Sequence, residues 1–334
     1  MVECYFLTHG KSSCILGDLL GARIDGGGIM AESIEEGWHT HTVIDKSELE
    51  EYLHKISSDS DGRLEVQTHC VAVGGDTIDS DALIEFASEK FPYLVFPEDE
   101  VEERFPEVYR DALAKAGLRE DAIRDGLYGE LLLFLLVEGL LDLPMISHKI
   151  AGKQNPTDEV KGSDGLFFGE FHGEDALGIG EAKFFTNRNA GIRDSLESTD
   201  RFHGSGGAST RNHELEVATN NLSDNLSQKQ IEELAERLTA NTSDYRLVHP
   251  IFVGYEEDEL NRLQAQAADG NELEETLFKF LEDSSGTLEY VQDHLKEYEE
   301  LQKHWLVFIL LPVEDSDSFK QRLRNRIFFP WRTG

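Results

Sequence analysis

The sequence has few cysteines, few basic residues and no long hydrophobic run. Its 334 residues include only three cysteines, Cys4, Cys14 and Cys70, which are widely spaced and form no CxxC pair. This scattered set argues against a disulfide framework or a structural zinc site and suits a reducing compartment. The apolar run Leu131–Val137 is far too short to cross a bilayer, and no basic start precedes an apolar run at the N-terminus. We therefore expect a cytoplasmic protein without a membrane segment.

Acidic residues outnumber basic residues by about two to one. The chain has 66 Asp and Glu against 31 Lys and Arg, which gives a formal net charge of −35, spread along the whole sequence. Such a surface tolerates molar salt, where charges are screened over roughly 3 Å, and it is typical of proteins from salt-loving organisms. An acidic mimic of nucleic acid is the alternative. The charge does not exclude DNA binding, because a DNA-binding protein of this kind need not be basic overall.

Residues 1–120 alternate between strand and helix patterns, which predicts an α/β or α+β region with no assigned role. We expect strands and helices at spacings typical of such units. The predicted strands are Cys4–Thr8, Thr40–Asp45 and Leu64–Val73, and the predicted helices are Lys46–Ile56 and Asp79–Lys90.

Two motifs in this region do not carry chemistry. Gly10–Ser12 (GKS) is similar to the end of a phosphate-binding loop, but Tyr5 stands where that loop needs a glycine. His39 and His41 would share one face of a strand, yet no acidic or cysteine partner lies at a ligand spacing. A plain polar strand face is the favoured interpretation.

The segment Gly126–Leu143 predicts a strongly apolar, largely buried helix that ends before Pro144. It contains Glu130 and Glu138, which lie about two turns apart on nearly the same face. A carboxylate in such a helix is costly unless it is paired, hydrogen-bonded or bound to a cation. We expect Glu138 at the solvent edge, whereas Glu130 lies either at that edge or against a metal ion.

The stretch from residue 162 to 185 predicts two short strands joined by a Gly- and acid-rich turn. Asp164 opens the first strand, and Glu181 and Lys183 lie in the second, where alternation points them to the same face. A hairpin would bring Asp164 close to both. Two carboxylates can hold a hard cation such as Mg²⁺ or Mn²⁺, and a lysine can stabilise developing negative charge. The pattern therefore indicates metal-dependent hydrolysis of a phosphodiester.

The remaining segments predict a mixed sheet with helices on its faces. Pro250 favours an edge position or a bulge for the strand that contains it, and the strand Trp305–Val313 is expected to be central. The other predicted elements are the strands Met145–Ile150 and Leu247–Tyr255 and the helices Asn189–Phe202, Asn212–Thr239, Asp258–Ala267 and Glu272–His304.

The tail Ser318–Arg332 is the one locally basic segment of the chain. Its cations alternate with aromatic residues, which is a pattern found in nucleic-acid or partner contacts. An amphipathic closing helix through Phe319, Leu323 and Ile327 explains the same spacing equally well. The residues that we expect to contact nucleic acid are Arg193, Arg322, Arg324 and Arg326.

The order helix, three strands, helix, strand resembles the αβββαβ core of PD-(D/E)XK nucleases. The motifs GLYGE (Gly126–Glu130), KGSDG (Lys161–Gly165) and GEAKFF (Gly180–Phe185) are similar to those of the HamA C-terminal-like family, the nuclease subunits of the Hachiman anti-phage defence system. The resemblance covers roughly residues 120–205. It implies a nuclease domain over residues 121–334, Mg²⁺ or Mn²⁺ as cofactor, and a superfamily 2 helicase as partner. The implied catalytic residues are Glu130, Asp164, Glu181 and Lys183, and the metal ligands are Asp164, Glu181, Glu130 and the carbonyl of Ala182.

These observations favour a metal-dependent DNA nuclease of a defence complex. A catalytically silent DNA-binding or helicase-adaptor module of the same fold is the alternative. A different hydrolase, or a purely structural acidic protein, would be favoured if Asp164 and Glu181 lay too far apart to share an ion.

Overall fold

The computed structural model describes residues 42–116, 126–147, 163–203, 245–283 and 286–330. Residues Glu36–Gly334 form one compact unit. Within the described ranges, no helix combines the length and the apolar character needed to cross a membrane. Several predicted features lie outside these ranges: the strand Cys4–Thr8, the GKS motif, the histidines His39 and His41, and the helix Asn212–Thr239.

The first part of the fold places one hairpin and several short helices before a long apolar helix. The elements are α1 (Lys46–Leu49), β1 (Leu53–Asp61), β2 (Leu64–Val71), β3 (Val73–Gly74), β4 (Thr77–Ile78), α2 (Ser80–Lys90), α3 (Glu98–Arg104), α4 (Glu107–Lys115), α5 (Gly126–Leu141) and β5 (Met145–Ser147).

The second part contains the longest strands. Its elements are β6 (Gly165–Phe171), β7 (Glu174–Phe185), α6 (Arg188–Asp200), β8 (Arg246–Glu256), α7 (Asp258–Gln266), α8 (Gly270–Asp283), α9 (Thr287–Leu295), β9 (Trp305–Val313) and α10 (Ser316–Phe328).

Seven strands form one mixed sheet in the order β1-β2-β9-β8-β7-β6-β5. The inner strands β2, β9, β8 and β7 are parallel, whereas β1, β6 and β5 pair antiparallel with their neighbours. The predicted α/β class and the αβββαβ order are confirmed by α5, β5, β6, β7, α6 and β8. Strands β1 and β2 belong to this same sheet, so it includes residues on both sides of the boundary expected near residue 120, which itself lies outside the described ranges.

Helices cover both faces of the sheet. One core joins α5, α2 and α10 to the sheet through residues such as Phe134, Phe252 and Phe319. A second core packs α6 and α9 on the other face, against residues such as Ile251. Because side chains alternate along a strand, Ile251 and Phe252 of β8 supply opposite cores. A strand buried on both faces reads as a continuous apolar run, as β9 does.

The expected helix Lys46–Ile56 is wrong beyond its first turn. Helix α1 ends at Leu49, and β1 begins at Leu53 and pairs with β2. Residues of β1 such as His54 pair with residues of β2 such as Cys70. This strand pairing stabilises the segment more than its weak helical preference does. The expected strand Thr40–Asp45 is also wrong over its described part. Asp45 instead caps α1, accepting a hydrogen bond from the backbone N–H of Ser47 over 2.6 Å.

The expected edge position of the strand with Pro250 is also wrong, because β8 lies between β7 and β9. The β7–β8 pairing breaks after Gly178 and Val248 and resumes at Glu181 and Ile251. A missing proline N–H is tolerated in such a gap. The Nδ1 atom of the buried His249 lies 3.2 Å from the Ile179 carbonyl oxygen that faces this gap. The His249 side chain of β8 thus contacts β7 at the point where the backbone pairing of the two strands is interrupted.

The expected long helix Glu272–His304 is two helices, α8 and α9, followed by a short 3₁₀ segment, Leu301–Lys303. Gly286 precedes α9 with φ of 101°, a left-handed conformation that interrupts a helix. The sequence does not indicate this break, because apolar residues recur at helical spacing among acidic residues on both sides of it. In contrast, the predicted helix Asp79–Lys90 is confirmed: Asp79 caps α2 by accepting a bond from the Ala82 N–H over 3.1 Å.

Candidate active site

The candidate site lies where β6 stops pairing with β7. The last paired residues are Gly165 and Gly180, whereas β7 continues to Phe185. Asp164 stands immediately before β6, and its N–H donates to the Gly180 carbonyl over 2.9 Å. Its Oδ2 accepts a hydrogen bond from the Ala182 N–H over 2.8 Å. The Asp164 carboxylate is thus held against the strand between the positions of Glu181 and Lys183.

The hairpin that creates this arrangement closes with a tight two-residue turn. Phe171 pairs with Glu174, which leaves only His172 and Gly173 in the loop. Their φ values are 52° and 77°. Positive φ at both positions is the pattern of a type I′ turn, which sets the register of the two strands. The register then brings Asp164 back to Ala182, as the sequence predicts.

Glu181 and Lys183 point to the same face of β7. They pair with Ile251 and Val253 of β8, residues of the core beneath α6 and α9. The Lys183 Nζ lies 2.9 Å from Glu181 Oε1. The Glu181 residue is only 4% exposed, and Asp164 is 8% exposed. This end of the hairpin therefore carries two nearly buried carboxylates, and one of them, Glu181, pairs with the Lys183 ammonium group.

The Lys183 ammonium also contacts a residue that sequence analysis missed. Its Nζ lies 3.0 Å from Oδ2 of Asp194, on α6. Asn187 caps α6, accepting a bond from the Ala190 N–H, and Ile192 and Leu196 anchor the helix in the core. The available signal was the short connection from β7 to α6, because it brings this helix back over the strand that carries Lys183.

The charges of this cluster favour a protonated lysine. Burial lowers the pKa of Lys183, but the carboxylates of Glu181 and Asp194 outweigh it, and the net shift is upward. The side chain is therefore positively charged at neutral pH. The positive charge of the ammonium group can stabilise an anionic group that approaches Lys183.

Glu130 belongs to α5, which packs on the opposite face of β7 from α6. The preceding residue, Gly129, makes a close contact: a Cβ placed there would lie 3.1 Å from the Ala182 Cβ and 3.9 Å from its carbonyl oxygen. Glu130 itself is half-buried. Helix α5 therefore brings Glu130 to the neighbourhood of Ala182, and its place among the metal ligands stays a prediction.

The expectation that Glu138 lies at the solvent edge is wrong. This residue is 4% exposed, and both carboxylate oxygens accept backbone hydrogen bonds, from the N–H of Val43 over 2.8 Å and of Met145 over 2.9 Å. Burial raises its pKa to about 8, although these backbone bonds act in the opposite direction. Glu138 therefore joins α5 to the start of β5 and to the segment before α1, which is a structural task.

The donor set suits a hard cation only in part. Within residues 42–116, 126–147, 163–203, 245–283 and 286–330, no group of three His, Cys, Asp or Glu side chains is placed to hold a metal ion. Mg²⁺ is commonly bound through one or two carboxylates and keeps several water molecules. Asp164 and Glu181 are the candidates for such a smaller set of ligands, and their binding of Mg²⁺ stays a prediction.

The basic segment near the C-terminus forms helix α10, and the closing-helix interpretation is confirmed. Phe319, Leu323 and Ile327 are buried. Two of the arginines on this helix pair with acids of α2: Arg322 with Asp81 over 2.9 Å, and Arg326 with Glu85.

The predicted contacts with nucleic acid therefore differ in their surroundings. Arg193 is exposed on α6, next to Asp194, whereas Arg324 is half-buried on α10. Arg322 and Arg326 already have carboxylate partners. A contact with DNA stays a prediction for all four.

Comparison with known proteins identifies a family for nearly the whole chain. The family model described as HamA matches residues 34–327, nearly the whole chain. The match includes the N-terminal strands as well as the hairpin with Asp164 and Glu181. A comparison with curated proteins finds no match.

Proposed function

The chain belongs to the HamA family, and from this premise we propose that it is a metal-dependent nuclease that cleaves DNA. Family membership associates the chain with anti-phage defence of the Hachiman type. One observation carries the step to a nuclease: the Asp164 carboxylate is bonded to Ala182 N–H, between Glu181 and Lys183. Two carboxylates and a lysine are a set of groups that can support metal-dependent hydrolysis of a phosphodiester.

In this proposal, each residue of the site has a separate role in the reaction. Asp164 and Glu181 would hold Mg²⁺, with the Ala182 carbonyl and Glu130 as further ligands. When bound, the ion supplies Lewis-acid stabilisation and activates a water molecule for attack on phosphorus. Lys183 would stabilise the negative charge that develops on the transferring phosphoryl group, and its raised pKa keeps it protonated for this task.

The geometry around Ala182 supports its inclusion. In an extended strand the N–H and C=O of one residue point to the same side. The Ala182 N–H points to Asp164, so its carbonyl lies along the same edge of β7. Burial of Asp164 and Glu181 also matters, because electrostatic interactions are stronger where water is excluded.

A helicase of superfamily 2 is the proposed partner, as the family resemblance implies. In this proposal the helicase restrains the nuclease until it meets aberrant DNA.

The test is cleavage of linear and circular DNA by the purified chain in high KCl, with Mg²⁺ or with EDTA, alone and with the helicase encoded beside it. We expect cleavage only with Mg²⁺, and its loss in Glu181→Gln and Lys183→Met. The matched control is Glu174→Gln, an exposed acid on the same strand whose partner is Arg246. Normal cleavage by Glu181→Gln contradicts the proposal.

The alternative, a silent DNA-binding or helicase-adaptor module, predicts a different result in the same experiment. The wild-type chain would then bind DNA or the helicase but cleave nothing under any condition. Unchanged binding by Glu181→Gln would accompany that outcome, since an adaptor has no use for the carboxylate.

A further inference from the structure

The ammonium group of Lys183 is held between two carboxylates that belong to different elements. Glu181 Oε1 lies 2.9 Å from Nζ, on the same strand, and Asp194 Oδ2 lies 3.0 Å from it, on α6. The two acids differ in their surroundings: the Glu181 side chain is 6% exposed, whereas that of Asp194 is 46% exposed. One carboxylate is buried and the other is partly exposed to solvent.

Only one of these carboxylates is available to keep Lys183 in place during the proposed reaction. Glu181 is a proposed metal ligand, and a carboxylate that turns to a cation weakens its bond to an ammonium group. Lys183 has a long stem with several rotatable bonds, so it would lose a defined position if Glu181 were its sole partner. Asp194 is not among the proposed metal ligands, so its bond to Lys183 does not compete with metal binding.

The element that carries Asp194 is suited to hold a side chain firmly. Helix α6 begins with the Asn187 cap, and Ile192 and Leu196, on either side of Asp194 in sequence, are completely buried. Sites built on packed helices are more precise than sites on loops. A short aspartate on such a helix has few conformations in which it can move away from Nζ.

We propose that Asp194 is a positioning residue that holds the Lys183 ammonium beside the scissile phosphate. This inference rests on the proposed nuclease function. It assigns no contact with substrate to Asp194, which acts through the lysine.

The first test is steady-state cleavage by Asp194→Ala and Asp194→Asn, with Glu197→Ala as the control. Glu197 is an exposed acid on the same helix. We expect kcat to fall about tenfold in Asp194→Ala with little change in KM, because misplacement of a catalytic group affects the chemical step. Asp194→Asn keeps an acceptor oxygen and should recover part of the loss, whereas Glu197→Ala should match the wild type. Wild-type kcat in Asp194→Ala overturns the inference.

The second test does not depend on activity. Crystal structures of the wild type and of Asp194→Ala, each grown with Ca²⁺ in place of Mg²⁺, compare the position of Lys183 Nζ. We expect Nζ to stay beside Asp194 in the wild type and to become displaced or disordered in the variant. An unmoved Nζ in the variant overturns the inference. If the wild type cleaves nothing while Nζ moves as expected, the nuclease proposal fails and the positional relationship remains.

Discussion

The carboxylate of Asp164 and the backbone of Ala182 are joined by a hydrogen bond of 2.8 Å, although Asp164 lies just before β6 and Ala182 lies in the second half of β7. The bond requires the full register from the His172–Gly173 turn to Gly180. A shift by one residue would turn Glu181 and Lys183 to the opposite face. The site therefore depends on the pairing of β6 with β7 as well as on its own side chains.

Replacing Asp164 with asparagine should preserve the stability of the fold but abolish activity. Asparagine keeps an oxygen that accepts the Ala182 N–H, whereas alanine leaves that donor without its partner at a cost of about 1–3 kcal/mol. We expect urea unfolding to show wild-type stability for Asp164→Asn and lower stability for Asp164→Ala, with Mg²⁺-dependent cleavage absent from both. Equal stability of the two variants would show that the bond contributes nothing.

Glu138 should make the stability of the fold fall as pH rises. Its pKa is about 8 in the folded chain against 4.5 for a free glutamate, so between these values the folded state holds a proton that the unfolded state has lost. The contribution is complete below pH 4.5 and disappears above pH 8. It amounts to at most about 1.4 kcal/mol per pH unit in that window.

The measurement for Glu138 is the free energy of unfolding at pH 5 and pH 8.5 for the wild type and Glu138→Gln. Glutamine cannot ionise, but its NH₂ group faces an N–H donor, so the variant should be less stable than the wild type at pH 5. The difference should shrink by pH 8.5. The exposed Glu275→Gln is the control. A difference that stays constant across this range contradicts the assignment.

Gly129 should resist substitution because α5 approaches β7 there. An alanine Cβ would lie 3.1 Å from the Ala182 Cβ, so strand and helix must separate by a few tenths of an ångström. We expect Gly129→Ala to reduce cleavage by about tenfold or more, since small displacements of reacting groups are costly. Gly126→Ala is the control, because its nearest contact is an ordinary 3.7 Å. Equal activity of the two variants would show that this approach does not position the site.

Arg193 should contribute more to DNA binding than Arg326. Arg193 is exposed beside the site, whereas Arg326 would first have to leave Glu85. In the Glu181→Gln background, which prevents cleavage, Arg193→Ala should weaken DNA binding and reduce the slope of log K against log salt by about one. Arg326→Ala should change both quantities less. The opposite order would place the DNA on α10.

The candidate site was accessible from the sequence because its signals are local. Glu181 and Lys183 interrupt an apolar strand at a spacing of two, and alternation alone puts them on one face. Asp164 follows from the hairpin, which needs only a turn and two strand patterns. Asp194 could not be found in this way, because its contact with Lys183 depends on how α6 packs, and packing is a long-range property.

The predictions that the structure contradicts failed for the same reason, because they depend on contacts between residues far apart in the sequence. The segment Lys46–Ile56 has a helical pattern, but the pairing of Leu53 with Val71 places its second half in a strand. Pro250 is unfavourable in an inner strand, but the gap in the β7–β8 pairing accommodates it. Glu138 would be too costly to bury if Val43 and Met145 did not donate to it. In each case a distant partner reverses a local preference.

By itself, the sequence determined the fold class, the αβββαβ order and the shared face of Glu181 and Lys183, because periodicity and turn chemistry act between near neighbours. Only the tertiary structure decided that β1 and β2 extend the same sheet, that Glu138 is buried and that Asp194 contacts Lys183. Those outcomes depend on which surfaces exclude water together, and residues far apart in the chain settle that jointly.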